Sequence, residues 1–275
     1  MTAGAAKAGA GRGATWQHRS PRGRLLLWAG WLACVALFVF CWQEMTKDTI
    51  WAFVYDAPVQ AADIGGRMLP PRWSYIERLL LPLWDTLNIA TLGTLLGLVI
   101  AVPVAFLAAR NTSPSPLVLR PLALFVIVAS RSINSLIWAL LLVAVIGPGV
   151  LAGVIAIGLR SIGFIGKLLY EAIEEIDESQ VEAVRASGAG AAQVIDYAIV
   201  PQVLPAFFGI AVFRWDINIR ESTILGLVGA GGIGLQLQAS LNVLAWPQVT
   251  LIFIVILATV VLSEWVSAKV RHAII

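Results

Sequence analysis

The sequence predicts an all-α, polytopic membrane protein with six transmembrane helices, and three observations support this. Hydrophobic residues make up 59% of the 275 positions and charged residues only 13%, with a mean hydropathy of +0.85, far from the balance of a soluble domain. Several apolar runs reach the roughly 20 residues of helix needed to cross a hydrocarbon core of about 30 Å. The basic residues flank these runs, which is the pattern that orients spans. The net charge of +3 therefore reads as topology, and no nucleic-acid partner is expected.

The elements follow in order. Residues 1–24 form a basic tail with Lys7, Arg12, Arg19, Arg22 and Arg24 and no acid, expected on the cytoplasmic side. Residues 25–43 form the first span, an anchor without a small-residue cleavage site. Its Cys34 and Cys41 stand seven apart with no CxxC pattern and read as lipid-facing or packing residues. Residues 44–84 mix both charge signs and are expected outside, with Trp73, Tyr75 and Trp84 on an interfacial helix. Residues 85–275 form the core. Its first span, Thr86 to Ala109, carries Gly93, Gly97, Ala101, Ala105 and Ala109 at four-residue spacing, a stripe that admits another helix at close range. Further spans are expected at Leu122–Ile146, Val150–Tyr170, Ala206–Leu227 and Pro247–Val266. Lys269 and Arg271 place the C-terminus on the same side as the basic tail, so both termini are expected in the cytoplasm.

A polar island at 171–205 interrupts the apolar runs. Ser179 followed by Glu182 fits a capping box, so Glu182 reads either as a helix cap or as part of an exposed docking surface. The helix begun there is rich in small residues and breaks at Gly188 and Gly190. A second helix, Ala191 to Val200, is expected to stop before Pro201. The predicted product is a helix-turn-helix suited to a groove on a partner.

The island's phrase Glu182-Ala183-Val184, then Gly188, then Val200-Pro201 resembles the EAA loop of ABC-importer permeases. Val184, Ala198 and Val200 depart from that pattern, each by an apolar exchange. The resemblance extends from about Trp84 to the C-terminus. The phrases Glu171 to Asp177, Pro201 to Pro205 and Leu225 to Gly234 are most similar to the phosphonate-transport permeases. This implies the type I importer permease fold, a second copy of the permease in the bilayer, a pair of separate ATPase subunits and a periplasmic substrate-binding protein. It also implies that Glu182, Ala183, Gly188, Ala189 and Pro201 couple to the ATPase. The substrate class implied is phosphonate, phosphite or hypophosphite. No G-x-x-x-x-G-K-[ST] occurs, so no cofactor is expected in this chain, and ATP and Mg are left to the partner.

Arg214, Asp216, Asn218, Arg220 and Glu221 lie within the fifth span, where a charge costs at least about 2.5–3.5 kcal/mol unless it faces protein or water. Asp216 and Arg220, four apart with the acid first, fall on one helical face, and the group reads either as pairs that hold helices together or, with Arg160, as a path for an oxyanion. The run Gly229 to Gly234, with a further glycine, Gly232, beside Gly231, satisfies G-x-G-x-x-G but follows a membrane span rather than a strand. It reads as a close-packed turn or as a gate. His18 and His272 stand in the tails, so neither a catalytic nor a metal centre is expected in the membrane. An ion-coupled carrier for small anions, an ABC permease for a different small solute and a membrane enzyme are the rival readings. The carrier lacks paired broken helices in the sequence, and the enzyme lacks a nucleophile-base-orienter set.

Overall fold

The computed structural model describes residues 21–274, all of whose regular elements are helices. The basic residues Lys7, Arg12 and Arg19 of the expected tail lie outside the described residues. The chain divides into two units at Ala61–Ala62. The first holds α1 (Pro21–Thr46), an apolar helix with no acid in its first turn and no base in its last, and the beginning of α2 (Trp51–Met68). Along α2, Gln60 bonds to Asp56 and Arg67 to Asp63, the four-residue spacing that stabilises one polar helical face.

The second unit contains α3 (Ile76–Ala108), α4 (Leu119–Ser132), α5 (Ser135–Ile146), α6 (Val150–Glu174), α7 (Glu178–Ala186), α8 (Ala191–Val194), α9 (Val200–Leu225), α10 (Ile233–Asn242) and α11 (Trp246–Ile274). Among the described residues five helices are long and apolar enough to span a membrane, and the bent pair α4–α5 makes a sixth if taken as one span. α3, α6 and α9 form the centre; α4 and α5 pack on α6, and α11 packs on α9.

The small-residue stripe explains the central contact. A Cβ on Gly93 would fall 2.7 Å from Ile157 Cγ2, and one on Gly97 would fall 2.5 Å from Ser161 Cβ. Without side chains there, α3 and α6 meet backbone to side chain. Ala101, Ala105 and Ala109 continue the stripe fully buried.

Four expectations are corrected. The boundary at 84/85 falls inside α3, because the turn Trp73–Tyr75 runs directly into that helix instead of forming a separate interfacial one. The expected span Leu122–Ile146 bends by 87°. Its break has neither Gly nor Pro; Asn134 restarts the chain as the N-cap of α5, accepting from Leu136 N–H at 3.1 Å. The helix expected to end at Tyr170 continues to Glu174, inside the polar island. Pro201 does not stop a helix. A π-helical turn, Ile195–Ile199, leads into α9 with Pro201 in its first turn, where the missing N–H is no loss.

α4 locks onto α6 through Ser130. Its hydroxyl donates to Leu159 O and accepts from Gly163 N–H at 2.9 Å. It thus bridges the carbonyl and N–H that an α-helix joins directly, across the turn that carries Arg160 and Ser161.

Candidate functional site

The charged residues of α9 collect into two connected groups. In the first, Arg214 is 1% exposed and is the largest fully buried side chain described. Its Nε donates to Ser161 Oγ on α6 at 3.0 Å, its Nη2 lies 3.4 Å from Glu221 Oε2, and its guanidinium carbon sits 5.1 Å from the centre of the Phe164 ring. Asn218 Nδ2 donates to Thr94 Oγ1 on α3 at 2.8 Å and to the same Ser161 Oγ at 3.1 Å. Glu221 also receives Arg160 Nη1 at 3.3 Å, and that guanidinium reaches Asn134 Oδ1 and Ser135 Oγ, each at 3.3 Å. One network therefore ties α3, α5, α6 and α9.

In the second group Arg220 Nη2 pairs with Asp216 Oδ2 at 2.5 Å, and Ser263 Oγ on α11 donates to Asp216 Oδ1 at 2.8 Å. The four-residue spacing with the acid first puts both partners on one face of α9, as expected.

The structure separates residues that the sequence put in one class. Arg214 and Asn218 are enclosed, whereas the Arg160 and Arg220 side chains are 31% and 44% exposed. Arg214 is enclosed by Ser161, Phe164 and Glu221, while Arg160 and Arg220 keep part of their guanidinium surface open. Three guanidiniums face two carboxylates here, leaving one net positive charge at spanning depth. Lys167, further along α6, is matched by Glu171 at 3.4 Å.

The polar loop occupies one end of the bundle. The capping-box reading of Ser179 and Glu182 is overturned: Asp177 is the N-cap of α7 and accepts from Ser179 N–H at 2.9 Å, so Glu182 sits in the helix interior. Asp177 wins because its carboxylate stands one residue before the first helical position, the geometry a cap requires. The Ser179 hydroxyl, and next its backbone N–H, hold this carboxyl below the usual range. Glu182 and Ala183 are exposed, while Val181 plugs a cluster with Ala105, Leu169, Ile173, Val194, Ala198 and Ile199. Gly188 follows α7 with φ +85°, donating its N–H to Arg185 O at 3.0 Å. Nothing stands within 4 Å of a Cβ there, so it is conformation, not space, that favours glycine. Gln193 reaches back to Gly190 N–H at 2.8 Å, and Ala189 is half-buried beside this turn. Gln202 ties the loop's two ends, accepting from Asp177 N–H at 2.9 Å and donating to Ala198 O at 2.8 Å. Pro201 beside it is exposed.

The glycine turn lies at the other end of α9. Gly229, Gly231 and Gly232 have φ of +89°, +84° and +75°. Gly234 serves a different need, since a Cβ there would fall 2.0 Å from Thr223 O. Thr86 Oγ1 accepts from Ile233 N–H at 2.8 Å and fixes the turn to α3.

Thr94, Ser161, Ser263, Asn134, Asp177 and Gln202 were missed by sequence reasoning. The intramembrane hydroxyls carry no period of their own. Their one available signal was the charge on α9, which obliged partners to exist somewhere on its neighbours.

The family described as "Binding-protein-dependent transport system inner membrane component" matches residues 73–270. A phosphite transport system permease protein from Stutzerimonas stutzeri is 45% identical over 210 residues, 76% of each chain. A phosphate-import permease protein from Mycolicibacterium smegmatis is 43% identical over 209 residues, 76% of this chain but 39% of its own length. Among solved structures, the MetNI methionine ABC transporter in an inward-facing conformation superposes with a TM-score of 0.65 at 21% identity, over 74% of this chain and 99% of that one. That likeness establishes the fold, which is the one found in type I ABC importers. With the family match covering the whole helical core, this chain belongs to the binding-protein-dependent transport system inner membrane components.

Proposed function

We propose that the chain is the permease subunit of an ATP-driven importer for phosphonate-like oxyanions, working as a homodimer in the bacterial inner membrane. The observation that carries this reading is the surplus guanidinium charge at spanning depth, with Arg160 and Arg220 partly exposed around a buried frame. A guanidinium offers two parallel N–H donors that match two oxygens of a phosphorus oxyanion. The phosphite and phosphate transport named for the relatives supports the same class.

In this reading the polar loop and both termini are cytoplasmic, in keeping with Lys269 and Arg271 near the C-terminal end of α11. The exposed side of α7, with Glu182, Ala183 and Gly188, docks on the ATPase subunits, and Ala189 and Pro201 shape its return. ATP and Mg are bound there and not by this chain. A periplasmic binding protein delivers the anion at the opposite end, where Gly229, Gly231, Gly232 and Gly234 gate access.

The mechanism follows from continuity. α6 enters the loop and α9 leaves it, so a push on α7 reaches Arg160 and Ser161 on one helix and Arg214 to Glu221 on the other. The cross-links Arg160–Glu221 and Arg214–Ser161 are the contacts that exchange as access alternates.

The test is uptake of labelled phosphite by cells producing the chain with its ATPase and binding protein. Arg220→Gln raises the half-saturating concentration about tenfold, equivalent to about 1.4 kcal/mol, while Asp216 keeps its Ser263 bond. Unchanged saturation in both Arg220→Gln and Arg160→Gln contradicts the path assignment.

A further inference from the structure

At the end of α3 away from the polar loop lies a cavity of about 270 Å3, lined by Arg72, Ser74, Tyr75, Arg78 and Gln248. Contacts tie the elements around it together, while Arg72, Ser74 and Arg78 themselves are exposed. The backbone N–H of Arg72 donates to Pro247 O at 3.1 Å, tying the entry to α3 against the start of α11. The Tyr75 hydroxyl donates to Gln236 Oε1 on α10 at 3.1 Å, and the Arg78 guanidinium carbon lies 6.0 Å from the centre of the Tyr75 ring. Ser240 Oγ engages Gln248 Oε1 at 3.4 Å, which leaves the Gln248 NH2 group its donors.

The inventory of this lining is one-sided. Among the described residues neither Arg72 nor Arg78 has an ion-pair partner, although exposed Glu77 stands between them in sequence. No carboxylate lines the cavity. Two guanidiniums, a serine hydroxyl and an amide NH2 supply donors, and Tyr75 has committed its proton to Gln236. Walls of this kind repel cations and suit a compact anion with several acceptor oxygens.

We propose that this cavity binds a phosphorus oxyanion, with Arg72 and Arg78 as its principal ligands. Two sources share that chemistry. One is the transported anion on arrival, a case that rests on the function proposed above; the other is the phosphate of a lipid headgroup, a case that does not. The wall formed by Tyr75 also belongs to the apolar cluster of Leu79, Ile233, Leu237 and Val249. Through the Tyr75–Gln236 bond this wall is linked to α10.

The experiment uses the full chain purified with its ATPase and placed in lipid nanodiscs. One arm measures binding of labelled phosphite to the same complex before reconstitution, in a maltoside detergent that carries no phosphate. The other measures phosphatidylglycerol retained by the protein in mixed discs, by native mass spectrometry. The double variant Arg72→Gln/Arg78→Gln is expected to lose at least about tenfold in one arm. Loss in the first identifies the transported anion, and loss in the second identifies the lipid. Arg72→Lys/Arg78→Lys keeps both charges but not the forks, and loses less. If the glutamine pair does not fold, Gln248→Ala with Ser74→Ala carries the test, with a severalfold loss expected in the same arm. Wild-type levels in both arms from a monodisperse variant overturn the proposal. Uptake by the wild type is scored separately, so a transport failure with oxyanion binding intact counts against the proposed function alone.

Discussion

The middle of α9 and the loop at 175–199 are both polar, yet they are built in opposite ways. On α9 every charged side chain is bonded to another helix or to a neighbour on its own, and Arg214, the most enclosed, has partners on α6 and α9. In the loop Val181 faces inward while Glu182 and Ala183 are left exposed. The difference follows from the surroundings. At spanning depth an unpaired charge is costly, so polarity has to be satisfied by protein and becomes structural. In water polarity is cheap, and a surface can be left open for a partner.

The strongest way to break this comparison is to truncate one residue in each region. Arg214→Leu leaves Glu221 with Arg160 alone and Ser161 without its guanidinium donor, and should destabilise the folded chain by about 3–5 kcal/mol. Glu182→Ala should stay within about 0.5 kcal/mol of wild type yet lose ATP-coupled uptake. Denaturation midpoints in detergent, measured beside uptake, check both. Equal stability losses would erase the distinction.

A smaller effect sharpens the loop side. Gly188→Val forces a β-branched residue to φ +85° and should cost about 1–2 kcal/mol, confined to the end of α7. Gly188→Asn, which tolerates that conformation, should restore most of the ATPase association that valine removes. Co-purification of the ATPase with each variant reads this out; loss with asparagine equal to that with valine would mean that the side chain, not the backbone, is the problem.

The smallest effect is on pH. The Asp177 carboxyl is held below its usual range by Ser179, so its folded-state value is depressed. A depressed carboxyl contributes stability above its unfolded value and loses it as pH falls through the folded one, here below about pH 4. Faster amide exchange at Ser179 below that pH, absent in Asp177→Asn, is the expected outcome.

The same contrast governs what the sequence could disclose. The stripe from Gly93 to Ala109 was legible because close helix contact in lipid demands small residues at a fixed period. The pairing of Asp216 with Arg220 was legible from spacing alone. The break at Ile133–Asn134 was not, since no Gly or Pro marks it and one capping asparagine suffices. Nor was the passage of the chain through Pro201, because a π-helical turn upstream changes what proline interrupts. Ser161 and Thr94 were hidden by their small size within apolar runs. Of the two readings of Glu182, the capping box fails because Asp177, two residues before Ser179, fits the same chemistry better.

The most direct test of the central claim is labelled phosphite uptake by intact cells carrying the chain, its ATPase and its binding protein, under two treatments. The account predicts uptake that persists when a protonophore collapses the ion gradients and stops when ATP is depleted, with phosphite recovered unaltered. Uptake that follows the gradient and survives ATP depletion would identify a secondary carrier, and would contradict the coupling role given to α7.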